Sequence, residues 1–139
     1  DTAVPIGTGS LAEDLPRALA SHDVIVQGTP VGMHGHDDGR SPVPPGLLRP
    51  EHVVFDMVYR PRLTPLLKDA QSVGCQTIPG ASMLLHQAVI QFETWTGIDA
   101  PVGAMRQALE SALNPGAEPS TADGDKPQAE PYRTPLRPA

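Results

Sequence analysis

The 139-residue sequence is poor in cysteine, in aromatic side chains and in positive charge. A single cysteine, Cys75, excludes an intrachain disulfide and suits a reducing compartment, so a cytoplasmic location is expected. Aromatic residues make up only 4% of the chain, so its core must be aliphatic. Ten Lys and Arg stand against 16 Asp and Glu. The resulting formal charge of -6, with no basic cluster to offset it, argues against nucleic acid or an anionic membrane as partner. No apolar run approaches the roughly 20 residues that span a bilayer, and no signal peptide opens the chain. The first residue is Asp1, so the chain is expected to be a piece of something longer.

Proline, by contrast, is plentiful and unevenly placed. Pro115, Pro119, Pro127, Pro131, Pro135 and Pro138 crowd the end of the chain, where Tyr132 and Leu136 are the only large apolar residues. Such a segment buries too little surface to offset its ordering entropy, so 114–139 is expected to be a disordered tail. The folded unit is then 1–113, which is small for an enzyme domain.

Within that unit the elements follow from local signals. A short strand is expected at Ala3–Ile6. Ser10-Leu11-Ala12-Glu13 has the form of a capping box, and Pro16 fits only where a helix restarts. Asp23–Gln27 (DVIVQ) is β-branched without alternation and ends at Gly28, which suits a strand covered on both faces of a parallel sheet. Residues 34–52 read as a long loop rich in Gly, Pro and charge. Val53–Val58 predicts a second strand. Thr64 and Pro65 make a helix N-cap and first position; Leu66, Leu67, Ala70 and Val73 recur at helical spacing, and Gly74 caps the other end. Gln76–Ile78 predicts a third strand, Gly80–Thr96 a long helix, and Pro101 the start of a last helix carrying Val102, Met105, Leu109 and Leu113. This rhythm predicts an α/β fold, the second half of a doubly wound parallel sheet. No G-x-G-x-x-G loop is present; Gly7-Thr8-Gly9-Ser10 lacks the third glycine and reads as a turn.

The long helix is two-faced. At 100° per residue, Leu84, Leu85, Ala88, Phe92 and Trp95 gather on one side as ordinary core. Met83, Ile90 and Thr94 gather on another, with Gln87 at the seam. That pattern fits a helix whose second face closes against a further domain, with the Gln87 amide looking into the cleft. The bland alternative is a solvated boundary glutamine. Gln91 lies nearer the core side and reads as structural, bonded to a backbone group.

Three segments in register resemble the C-terminal part of shikimate dehydrogenases. They are DVIVQGTPVGM (Asp23–Met33), VVFDMVYRPRLTPLL (Val53–Leu67) and GASMLLHQAVIQFETWTG (Gly80–Gly97), and the order and spacing match over about residues 10–110. The resemblance implies a Rossmann-like NADP-binding domain and hydride transfer between NADP(H) and the pair 3-dehydroshikimate and shikimate. It also implies missing parts. The family's N-terminal catalytic domain, with its lysine and aspartate, and the glycine-rich loop precede the matched region; Lys68 and Lys126 fit no such motif. The isolated chain is therefore expected to be inactive and poorly stable, with an open sheet edge and an uncovered apolar face. Gln27 and Gly28 depart from the family's usual asparagine and alanine.

By the resemblance, Tyr59 and Gln87 meet the substrate; a primary amide both donates and accepts, which suits a polyol acid. Met57 packs on the nicotinamide and Gly80 lies beside it, while Thr29 and Gly32, with Met33, line the cofactor crevice. Each has a plainer reading: Met57 as core, Gly80 as a turn before a helix, and Thr29 and Gly32 as turn formers. Asp56 is expected to anchor its turn through backbone bonds, and Cys75 to fill a small buried space. His86 reads as a surface residue. His34-Gly35-His36-Asp37-Asp38 carries metal-ligand residue types, but adjacent flexible side chains make no preorganised site, so a solvated loop and no metal are expected. The implied partners are the small-molecule substrate and the missing domain, with a homodimer a further possibility. Two alternatives stay open: a quinate/shikimate dehydrogenase using NAD, and a noncatalytic nucleotide- or polyol-binding module. The family is sometimes fused to a dehydroquinate dehydratase, which a non-methionine start permits.

Overall fold

The computed structural model describes residues 6–114. The strand expected at Ala3–Ile6 and the tail after Asn114 lie outside these residues, apart from Ile6, which belongs to no strand. Helix α1 (Leu15–Ser21) leads to β1 (Val24–Gln27). A long connection with a 3-10 turn at Pro45–Leu47 reaches β2 (Val53–Asp56), followed by α2 (Pro65–Val73) and β3 (Gln76–Pro79). Helices α3 (Gly80–Thr96) and α4 (Val102–Leu113) complete the described chain.

The three strands are parallel in the order β1-β2-β3, with Ile25 beside Val54 and Val54 beside Thr77. Parallel neighbours need a crossover, and α2 supplies it between β2 and β3. Its ends are set locally. The Thr64 hydroxyl accepts the Leu67 N–H at 3.2 Å, Pro65 occupies the first turn, and Gly74 closes the helix at φ 95°. That left-handed conformation favours glycine.

The core lies on one side of the sheet. Leu19, Val43, Leu48, Val54, Leu66, Leu67, Ala70 and Cys75 form one buried cluster drawn from α1, the long connection, β2, α2 and its cap. Cys75 fills space as expected, with its thiol donating to the Arg49 carbonyl at 3.0 Å, and burial pushes its pKa up, away from reactivity. His52 is fully buried in the same layer. Its Nδ1 accepts the Arg49 N–H at 3.0 Å and its Nε2 lies 3.1 Å from the Leu19 carbonyl, so the neutral ring serves both groups.

Four expectations are corrected. Strand β1 is covered on one face only: Val24 and Val26 are 61% and 59% exposed, and Ile78 shares their side. An unalternated VIVQ run signals a strand able to be buried on both faces, and among the described residues only one of them is covered. On α3, Leu85 is buried and Leu84, Ala88 and Phe92 are half-buried, but Trp95 is 78% exposed; this stripe is core only at its beginning. Gln91 is exposed and makes no side-chain hydrogen bond among the described residues. At the first helix the expected box is replaced by a turn. Asp14, one residue beyond Glu13, reaches back to the Ser10 N–H at 3.0 Å, and α1 begins only at Leu15.

Candidate functional site

Ligands of parallel α/β sheets bind at strand carboxyl ends, because loops there diverge and leave a crevice. In this structure the ends of β1 and β2 enclose an open crevice of about 550 Å³. Gly28, Thr29, Pro30 and Met33, from the turn after β1, make one wall; Met57, Val58, Tyr59 and Arg60, just past β2, make the other, with His34 beside them. Met57 and Tyr59 are 39% and 43% exposed, so both side chains are available to a ligand. A flat ring can lie in such a space against a wall that carries a flexible thioether and a phenol.

Both walls are fixed from below. Asp56, the last residue of β2, is fully buried; its carboxylate accepts the Val58 N–H at 3.0 Å and the Thr64 hydroxyl at 2.6 Å. Burial raises its pKa, and those two hydrogen bonds hold the rise in check. The Asp56 backbone bond expected from sequence is thus present, and Thr64 adds a side-chain bond that joins the crevice wall to the cap of α2. Gln27, at the end of β1, is 5% exposed and its amide is wholly engaged. Its Nε2 donates to the Thr29 carbonyl at 3.0 Å and the Val31 carbonyl at 3.1 Å, while its Oε1 accepts the Thr29 N–H at 2.7 Å.

Thr29, Met57 and Tyr59 therefore meet in one crevice, with Met33 beside them. The other candidates stand around it. Gly80 is buried at the start of α3, where an added Cβ would lie 2.5 Å from the Met57 carbonyl oxygen and 2.8 Å from that of Asp56. Its glycine is demanded by the β2 backbone, a reason the sequence did not disclose. Gly32 has φ 82° and would bring a Cβ to 3.1 Å from the Arg40 carbonyl, so it shapes the loop and lies outside the crevice lining. Gln87 is exposed and also outside that lining. Seven residues are about two helical turns, so it shares with Gly80 the face of α3 that meets Met57.

Pro30, Val58 and Arg60 line the crevice without having been singled out from sequence; Gly28 had been noted there only as a departure from the usual alanine and His34 only as part of a solvated loop. Arg60 is pinned: its guanidinium donates to the Ala112 carbonyl at 2.9 Å, tying this wall to the end of α4. The loop His34–Asp38 is exposed, with the Gly35 N–H donating to Asp38 at 2.9 Å; among the described residues no three His, Cys, Asp or Glu groups converge as metal ligands. His86 is exposed on α3, its ring bonded to the Ser82 carbonyl. No described helix is long and apolar enough to cross a membrane.

A parallel sheet with its crevice at the carboxyl ends, walled by a methionine and a tyrosine and continued by a helix that starts against the strand end, defines the class: a Rossmann-like α/β nucleotide-binding fold. Comparison with known proteins narrows it. Residues 80–110 match the family model of the shikimate 5'-dehydrogenase C-terminal domain. Over 112 residues the chain is 49% identical to the shikimate dehydrogenase (NADP(+)) of Halobacterium salinarum, covering 81% of this chain and 39% of that protein. A solved quinate dehydrogenase from Corynebacterium glutamicum in complex with NAD is similar at TM-score 0.67 and 36% identity, over 73% of this chain and 35% of that one. The shikimate 5-dehydrogenase of Thermus thermophilus, solved with NADP(H) and shikimate, is similar at TM-score 0.63 and 33% identity, over 71% and 37%. The chain belongs to the shikimate dehydrogenase family, of which it matches the C-terminal portion. It spans well under half the length of these relatives.

Proposed function

We propose that this chain serves as the C-terminal part of an NADP-dependent shikimate dehydrogenase, interconverting 3-dehydroshikimate and shikimate. The observation that carries this reading is the meeting of Thr29, Met57 and Tyr59 in one crevice at the strand ends. The residues fit the nicotinamide half of a dinucleotide. The crevice lies within the roughly 300–1,000 Å³ of small-molecule sites, and Gly28 keeps its floor low, since a Cβ there would stand 3.5 Å from the Met57 sulfur. When bound, NADP(H) supplies the hydride chemistry. Met57 packs against the ring, with Thr29 and Gly32 shaping the opposite wall and Gly80 letting α3 start against the β2 end. The Tyr59 hydroxyl and the Gln87 amide hold substrate hydroxyls, the amide by donating to one and accepting from another.

Among the described residues, Lys68 is exposed on α2 and outside the crevice lining. The proton donor to the carbonyl oxygen is, by the family resemblance, the lysine of the catalytic domain that precedes the matched region. The chain alone is expected to be inactive. The test is a chimera in which this chain replaces the matched segment of the Halobacterium salinarum relative. NADPH consumption with 3-dehydroshikimate, followed by absorbance, should appear in the chimera and be absent from the chain alone. A folded but inactive chimera overturns the reading. The likeness to a quinate dehydrogenase with NAD favours a second reading, which the same chimera tests when offered quinate and NAD+.

A further inference from the structure

Beneath the crevice lies a residue that touches no ligand position and yet holds both walls. The Gln27 carbonyl accepts the Met57 N–H at 2.9 Å, fixing the β2 side. Its side chain, as described above, takes the Thr29 N–H and gives both amide protons to the Thr29 and Val31 carbonyls, fixing the β1 side. A glutamine amide has two protons and one oxygen, and all are used. The buried amide therefore has no proton left to offer a ligand; its effect must pass through the Thr29–Val31 turn. Resting on the reading of the crevice as a nicotinamide site, we propose that Gln27 is a positioning residue for the cofactor: its amide holds the Thr29 wall in place opposite Met57, which the Gln27 backbone carbonyl fixes.

Glutamate is close to an isostere of glutamine and tests this sharply. A carboxylate can still accept the Thr29 N–H, but it faces the Thr29 and Val31 carbonyls with lone pairs, so two attractions become repulsions. The turn must then swing away from the carboxylate and widen the crevice. In the chimera, Q27E is expected to raise KM for NADPH by roughly tenfold, with KM for 3-dehydroshikimate at saturating cofactor within about twofold of the parent. Q27N keeps the amide on a shorter stem and is expected to recover only part of that loss, leaving the cofactor KM raised by roughly threefold. A purely structural role would instead lower the melting temperature and the active fraction, leaving both KM values in place. That result overturns the proposal, as does an unchanged cofactor KM in Q27E. Should Q27E fail to fold, Q27N alone decides: a rise of roughly threefold in cofactor KM supports the proposal and no change refutes it. An inactive parent chimera would instead strike at the functional reading, so the two failures are separable.

Discussion

Replacing Thr64 by valine keeps the shape of the side chain and removes its hydroxyl, which in this structure has two partners. As N-cap of α2 it accepts the Leu67 N–H, an interaction whose loss typically costs about 1 kcal/mol. It also donates to the buried Asp56 carboxylate at 2.6 Å, and a hydrogen bond to a charged group is worth about 1.5–3 kcal/mol. The two losses share one oxygen and do not add fully, so T64V is expected to destabilise the fold by about 2–3 kcal/mol at neutral pH. The pH dependence separates the two terms. Burial raises the Asp56 pKa above its ordinary 3.8, so the folded state holds that proton more tightly than the unfolded one. Stability from this group is then greatest below the unfolded value and falls as pH rises through the folded value. The Thr64 hydrogen bond opposes the rise in pKa; without it the fall deepens. Urea unfolding followed by far-ultraviolet circular dichroism should therefore show a larger T64V deficit at neutral pH than near pH 4, while T64S stays close to the parent. Tryptophan fluorescence is a poor substitute, because Trp95 is exposed in the folded chain. A deficit below about 0.5 kcal/mol, or one equal at both pH values, refutes the account of Asp56 and Thr64 as one unit.

Two glycines on the same wall should respond oppositely. G80A drives a Cβ into the β2 backbone at 2.5 Å and is expected to cost at least about 2 kcal/mol in thermal unfolding, whereas G28A meets only the Met57 sulfur at 3.5 Å and should change stability by less than about 1 kcal/mol. H52L leaves the Leu19 carbonyl and the Arg49 N–H buried without their partner, an expected loss of about 1–3 kcal/mol by urea titration; a neutral result would show that the ring is only a space-filler. In an active chimera, Y59F should lower kcat/KM for 3-dehydroshikimate by roughly tenfold with the cofactor KM little changed, and equal effects on both would remove Tyr59 from the substrate side.

What could be read from the sequence was local. The ends of α2 were legible because Thr64, Pro65 and Gly74 act on groups within four residues of themselves. The strands at Val24 and Val53 were legible from β-branched runs bounded by turns. The side of the sheet that is covered was not, since four residues without alternation carry no sign of which face meets a neighbour. Trp95 misled for a related reason: its angular position matches the core stripe of α3, but burial along that stripe weakens after Leu85 and ends before the last turn. His52 sat unremarked in a loop because its partner Leu19 is 33 residues away. At the site, Met57, Tyr59 and Thr29 were approached through the family resemblance, and the crevice joins them. Gln27 had been noticed only as a departure from the usual asparagine. Its three hydrogen bonds depend on the turn conformation of Thr29–Val31, which residue types alone do not specify.

The one-sided core has a practical meaning for how such a segment can be moved between proteins. The packed layer beneath the sheet is one contiguous buried cluster, so its internal fit travels with it when the segment is transplanted. What it offers to a host above the sheet is a plain aliphatic surface of Val24, Val26 and Ile78, which asks for volume and dryness more than for particular partners. A host lobe from a distant relative can meet that surface with its own aliphatic side chains. The join should tolerate sequence divergence far better than a cut through the valine–leucine layer on the opposite side.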